Sequence, residues 1–215
     1  MTEKRIYFVR HGETEGNHLW RHQSKSVPLT ARGVLQARAA AKVLGTLPID
    51  IVITSGATRT QQTALPLLER VHCPVVNNLL FEELRRPSSL IGKNYFNPYA
   101  LWTIAMVYLH ANNAQWRHTD EETLPEFRTR AKDAVVFLEK QKAEHIVVVS
   151  HRVFISGMLA LVSGYHMDGT VSFLRAAFHF GKIANGSITE LSYDPAREAP
   201  WRIARVNDTR HLRGL

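Results

Sequence analysis

Short apolar runs alternate along this chain with longer amphipathic stretches, and that alternation predicts repeated strand–helix units. Ile6 to Val9 reads as a buried strand that ends at Arg10. Pro28, Leu29 and Thr30 open a helix in which Leu35, Ala39, Val43 and Leu44 recur at helical spacing, and Gly45 stops it. Ile49 to Thr54 is a second strand, Arg59 to Val71 a second helix, and Pro74 to Val76 a short third strand. Further on, Thr123 and Glu126 form a capping box, with Pro125 near the helix start where its missing N–H does no harm. That helix is expected to run to about Lys142. Ile146 to Ser150 is the most strand-like run in the chain, and Val153 to Val162 is a helix directly after it. Ile188 to Tyr193 and Ile203 to Val206 close the pattern as strands. The expected fold is α/β: a three-layer sandwich, with a mostly parallel sheet and helices on both faces.

One segment, residues 85–122, breaks the alternation. It carries Pro87, Pro98 and the aromatics Tyr95, Phe96, Tyr99, Trp102 and Tyr108. It is expected to be a helical cap inserted over the open end of the sheet, its aromatics packing the cap onto the core in preference to touching a substrate. With 215 residues, 45% hydrophobic and 21% charged, the rest suits one ordinary globular domain. Cys73 is the only cysteine, which excludes an internal disulfide and suits a reducing compartment. The N-terminus lacks the apolar core of a signal peptide, and the apolar stretch from Tyr95 to Leu109 is too short for a bilayer. A cytoplasmic protein without a membrane partner is expected.

Charge sharpens the picture. Lys and Arg total 27 against 19 acidic residues, a net charge of +8, which favours anionic ligands. The basic residues are dispersed; even the densest stretch, Arg197 to Arg213, mixes its five arginines with Glu198 and Asp208. Nucleic acid is therefore not an expected partner.

Ligands of open α/β sheets bind beyond the carboxyl ends of the strands. Three predicted strands end in groups suited to a phosphate: Arg10-His11-Gly12-Glu13-Thr14-Glu15-Gly16-Asn17, then Ser55-Gly56-Ala57-Thr58-Arg59, then Ser150-His151-Arg152. Phosphoryl transfer needs a positioned nucleophile, donors for the equatorial oxygens and an acid for the leaving oxygen. A neutral imidazole can attack phosphorus, and arginine's planar fork can hold two phosphate oxygens. A second imidazole, if protonated, adds a donor where charge develops.

Arg10-His11-Gly12-Glu13-Thr14 resembles the R-H-G-x-T signature of the histidine phosphatase superfamily, the phosphoglycerate mutase-like family. Other matches follow in order along nearly the whole chain, the cap being matched least. Pro28-Leu29-Thr30 with Gly33 and Gln36-Ala37 resembles its P-L-T-x-x-G-x-x-Q-A helix start, and Ser55 to Ala64 its S-x-x-x-R-x-x-Q-T-A. Glu122-Thr123 with Glu126 and Arg130 is similar to its G-E-S-x-x-E-x-x-x-R helix without the Gly. Val148 to His151 resembles the V-x-S-H strand end, and Asn207-Asp208 with His211-Leu212 the C-terminal N-D-x-x-H-L.

The resemblance implies His11 as nucleophile, His151 as transition-state histidine, and Arg10, Arg59 and Asn17 as phosphate ligands. It also implies a glutamate acid after the third strand. Glu82 and Glu83 both qualify; Glu83 is preferred, and Glu82 is expected to point away because neighbours on an extended strand face opposite sides. Arg152 stands where the family commonly has Gly, either facing solvent or adding a cation near the substrate. His18 and His22 are spaced i, i+4, but no further ligand is near, so no metal and no cofactor are expected. Trp20, His22 and Gln23 are expected at the mouth of the phosphate site. The implied activity is hydrolysis of a phosphate monoester, on a small molecule or a phosphoprotein, through phospho-His11. The alternatives are mutase-type transfer, against which the short chain is taken to argue, and an inactive phospho-ligand binding module.

Overall fold

A computed structural model of the chain describes residues 3–165 and 169–215. The sheet has six strands: β1 (Lys4–Arg10), β2 (Ile51–Thr54), β3 (Val75–Asn77), β4 (His145–Ser150), β5 (Ile188–Tyr193) and β6 (Trp201–Asp208). Their order is β3-β2-β4-β1-β5-β6. The first four run parallel, whereas β5 and β6 are antiparallel additions at one side. The sheet is therefore mixed, with its parallel half made of the strands whose ends carry the candidate chemistry.

Alternation along each strand explains the three layers. In β1, Ile6 and Phe8 face one core, shared with helices α5 (Leu124–Lys140), α6 (Arg152–Val162) and α7 (Thr170–His179). Tyr7 and Val9 face the other, shared with α2 (Ala31–Leu44) and α3 (Thr58–Leu68). Both faces are covered, which is why the central strands read as continuous apolar runs. A one-turn helix, α1 (Glu15–His18), follows β1, and α4 (Pro98–Leu109) lies in the segment expected as a cap. Among the described residues no helix is long and apolar enough to cross a membrane.

Two expectations about packing fail. Helix α2 buries Gln36, Ala37, Ala40, Ala41 and Leu44, while Leu35 and Val43 face solvent. At its start the helix lies so close to the loop after β1 that a Cβ on Gly33 would sit 2.1 Å from the carbonyl oxygen of Glu13, which leaves room there only for glycine. The aromatics of residues 85–122 also divide differently from expectation. Tyr108 does pack on the core beside Phe173, but Phe96, Tyr99 and Trp102 are exposed and Tyr95 borders the cleft described below. Backbone pairing sets this arrangement: His22 N–H donates to Lys93 O, Gly92 N–H to His22 O, and Tyr95 N–H to Trp20 O. Helix α7 falls between the strong periodic signals and was not legible as a helix from them.

Candidate active site

Beyond the carboxyl ends of β1, β2 and β4 lies an open cleft of about 690 Å³. All the sequence-expected site residues line it: Arg10, His11, Asn17, Arg59, Glu83 and His151, together with Glu82, Arg152, Trp20, His22 and Gln23.

His11 leaves β1 beside Gly12, and that glycine is required by close approach. A Cβ there would lie 2.3 Å from Gly33 O, inside the α2 backbone. His11 is 4% exposed, and its Nδ1 lies 2.7 Å from the carbonyl oxygen of Gly12. A carbonyl only accepts, so Nδ1 carries the proton and the lone pair is on Nε2. Burial, then the charges of Arg59 and Arg10, hold the imidazole's pKa well below its ordinary value. His11 is thus a neutral imidazole with the lone pair of Nε2 fixed in place.

A relay of hydroxyls sets the tautomer of His151. Thr60 Oγ1 donates to Ala57 O at 2.7 Å, so it accepts from Ser55 Oγ at 3.1 Å. Ser55 Oγ then accepts from His151 Nε2–H at 2.8 Å. This leaves His151 Nδ1 as an acceptor, 3.4 Å from a guanidinium nitrogen of Arg59. The two imidazole rings lie 5.2 Å apart, edge to face. Burial, with the charges of Arg59, His11, Arg10 and Arg130, pushes the His151 pKa well down. A protonated second imidazole is therefore not the resting state: burial, aided by the surrounding cations, excludes its proton. Ser55 and Thr60 escaped the sequence reading as functional residues; their place one and six positions after the end of β2 was the available signal.

Each arginine is anchored by one end only. Arg10 donates to Ile183 O at 2.7 Å, and Arg59 to Ser24 O at 2.8 Å. The Nε–H of each is buried without a partner among the described residues, an arrangement that buried donors rarely tolerate. Burial, then the charge of Arg152, pushes the Arg10 pKa down to about 10, and burial lowers that of Arg59. Both remain cationic at neutral pH. Asn17 does cap a turn, closing a capping box with Thr14, yet it also lines the cleft. Its Oδ1 accepts from Asn185 Nδ2 at 2.9 Å, which leaves its own amide N–H groups to donate. Asn185, unrecognised in the sequence, also donates to His11 O at 3.0 Å. The C-terminal motif supports this loop from behind: Asn207 Oδ1 accepts from Ala184 N–H, and His211 Nε2 lies 2.9 Å from Gly186 O.

Glu82 and Glu83 both border the cleft, contrary to the expected alternation. Glu82 has φ −66° and ψ 157°, a polyproline-like conformation. With three residues per turn it separates neighbouring side chains by less than a strand would. Their partners differ. Glu82 pairs with Lys25 at 2.5 Å. Glu83 accepts from the backbone N–H groups of Leu84, Val153 and Phe154, at the start of α6 and next to His151. Its charge acts on both Arg10 and Arg59, that of Glu82 on Arg59 alone and more weakly. Arg130 holds the loop in place. It makes two 2.7 Å bonds to Glu122 and donates to the carbonyls of Leu80, Glu82 and Glu83. Arg130→Ala should leave the nearly buried Glu122 unpaired and lower stability by about 3 kcal/mol, read as a shifted denaturant midpoint. An unchanged midpoint would contradict this role.

Among the described residues no group of three or more His, Cys, Asp and Glu could hold a metal. His22 instead packs edge-on against Tyr95, ring centroids 4.6 Å apart, and burial with the charge of Arg86 pushes its pKa down to about 4. His11, His22 and His151 are thus all held neutral by the fold, against about 6.5 in an unfolded chain. Their contribution to stability is present above pH of about 6.5 and is lost as the pH falls, because the unfolded chain binds the protons. Each of the two fully buried histidines should cost up to about 1.4 kcal/mol per pH unit below that point. Denaturant titrations at pH 7.5 and 5.5 should show the fall, and His151→Asn should flatten it; equal stability at both pH values would refute it.

Residues 6–209 match the profile of the histidine phosphatase superfamily (branch 1). The adenosylcobalamin/alpha-ribazole phosphatase of Escherichia coli (strain K12) is 30% identical over 172 residues, 74% of this chain and 79% of that one. A probable phosphoglycerate mutase, GpmB, of Enterobacter sp. (strain 638) is 27% identical, with 96% of this chain and 94% of that one covered. Among solved structures, a mycobacterial glucosyl-3-phosphoglycerate phosphatase complexed with VO3 superposes with a TM-score of 0.74 at 26% identity, covering 95% of this chain and 98% of that one. Bacillus stearothermophilus YhfR gives 0.79 at 21% identity, covering 97% and 99%.

Proposed function

The chain belongs to the histidine phosphatase superfamily, and on that footing we propose that it is a phosphatase that hydrolyses phosphate monoesters through a phosphohistidine on His11. The observation that carries this reading is the neutral, tautomerically fixed imidazole of His11 beside two arginines whose buried Nε–H groups lack partners. A phosphate dianion would satisfy those donors, with Asn17 and His151 completing the cradle.

In this mechanism Nε2 of His11 attacks phosphorus, and the bond from phosphorus to the ester oxygen breaks. The electron pair stays on that oxygen, which takes a proton from Glu83. Glu83 then removes a proton from water, which attacks phospho-His11 and releases inorganic phosphate. His151 Nδ1 gains its proton together with the dianion, whose charge offsets the arginines that otherwise exclude it. It then donates to the phosphoryl oxygens as charge develops. Ser55 and Thr60 position it by fixing the tautomer. Segment 85–122 acts as the cap that shapes the rest of the cleft.

Relatives named as probable mutases argue for a second reading, return of the phosphoryl group to the substrate. Chain length does not separate the two, since such a relative is covered over 94% of its length. Release of phosphate from a panel of phosphorylated metabolites and phosphopeptides tests hydrolysis. Incubation with 3-phosphoglycerate and its bisphosphate primer tests transfer. Phosphate release from none of the panel, with interconversion of phosphoglycerates, would replace the first reading by the second.

A further inference from the structure

The cleft is larger than a phosphate needs, and its volume of about 690 Å³ suits a small organic molecule. The groups assigned above occupy its buried end. Two kinds of group remain unused around the rest: the arginines Arg86 and Arg152, and an aromatic corner of Trp20, His22 and Tyr95. Trp20 meets Tyr95 edge to face at 6.4 Å, as His22 does at 4.6 Å.

The arginines are uncompensated although carboxylates are near. Glu82 is taken by Lys25, Glu83 by the start of α6, and Asp120 by the backbone N–H of Ser88 at 2.8 Å. Among the described residues neither Arg86 nor Arg152 has a side-chain hydrogen bond or ion pair. Their charges reach different parts of the cleft. That of Arg152 acts on Arg10, at the phosphate end, and that of Arg86 on His22, at the aromatic corner. Like charges around one cleft repel, and an anion removes that penalty. Aromatic faces and edges bordering a cleft favour a flat ring, and a guanidinium without a partner favours carboxylate or phosphate oxygens.

We propose that the substrate is a phosphate monoester built on a flat ring and carrying a second anionic group, carboxylate or phosphate. The ring lies against Trp20, His22 and Tyr95, and the second anion lies between that corner and the phosphate end, within the cleft that Arg86 and Arg152 both line. The assignment rests on the phosphatase reading for its first phosphate, and the test keeps the two apart. Paired compounds that differ by one anionic group serve as probes: phenyl phosphate against the carboxyphenyl phosphates, and a nucleoside 5′-monophosphate against the 3′,5′-bisphosphate. Affinity is measured by calorimetry on His11→Ala, which needs no turnover, and kcat/KM on the unaltered enzyme.

The doubly anionic member of at least one pair should be favoured about tenfold or more, the effect of one charge-assisted bond. Arg86→Gln and Arg152→Gln should each collapse that ratio toward one, and added salt should lower it as well. A ratio near one for every pair, or one that both variants leave unchanged, overturns the proposal. Absent turnover with the binding ratio intact would count against the phosphatase reading while upholding the second anion site.

Discussion

His11→Ala should abolish phosphate release, with kcat falling by at least about four orders of magnitude, while the chain stays folded. Loss of a covalent nucleophile has effects of that size because no other group opens the same two-step path. The fold should survive because the His11 side chain makes one hydrogen bond, to its neighbour Gly12, and the substitution only takes a polar ring out of a site crowded with cations. Phosphate trapped on the unaltered enzyme by a rapid quench should be labile to acid, stable to alkali and mapped to His11. Trapping on another residue, or a variant that turns over at a comparable rate, would remove His11 from the mechanism.

Glu83→Gln should show a loss that depends on the leaving group. An alkyl alcohol leaves poorly without a proton, whereas nitrophenolate leaves readily, and general acid catalysis contributes about 10²- to 10⁴-fold. Release from alkyl phosphates should fall by that range, with a much smaller effect on phosphorylation of His11 by p-nitrophenyl phosphate. The amide oxygen of Gln can still accept from the start of α6, so the variant should fold. Glu82→Gln should change both rates by only a small factor, since its carboxylate is engaged by Lys25 and acts on Arg59 alone, more weakly than that of Glu83. If Glu82→Gln produced the leaving-group effect and Glu83→Gln did not, the acid would be Glu82.

The strands β1, β2 and β4, and the helices that follow them, were legible because both faces of the sheet are buried. That leaves uninterrupted apolar runs, followed by the polar clusters that lie at their carboxyl ends. Arg10, His11, Arg59 and His151 could therefore be gathered at one end of the sheet from order alone, since parallel strands bring those ends together. Local chemistry was also sufficient at Thr123 and Glu126, whose capping box forms as read.

Other features depended on neighbours distant in the chain. The start of α2 is fixed by how closely Gly33 approaches Glu13, a spacing that hydrophobic periodicity cannot express. The neutral state of His151 comes first from burial and then from the charges of Arg59, His11, Arg10 and Arg130, drawn from three segments, and its tautomer from Ser55 and Thr60. Asn185 became part of the site only through its bonds to His11 and Asn17, more than 160 residues away. Sequence by itself determined which groups could perform the chemistry, because composition at strand ends is local. Tertiary structure alone decided their protonation, their partners and the size of the cleft, because burial and charge fields arise only when remote segments meet.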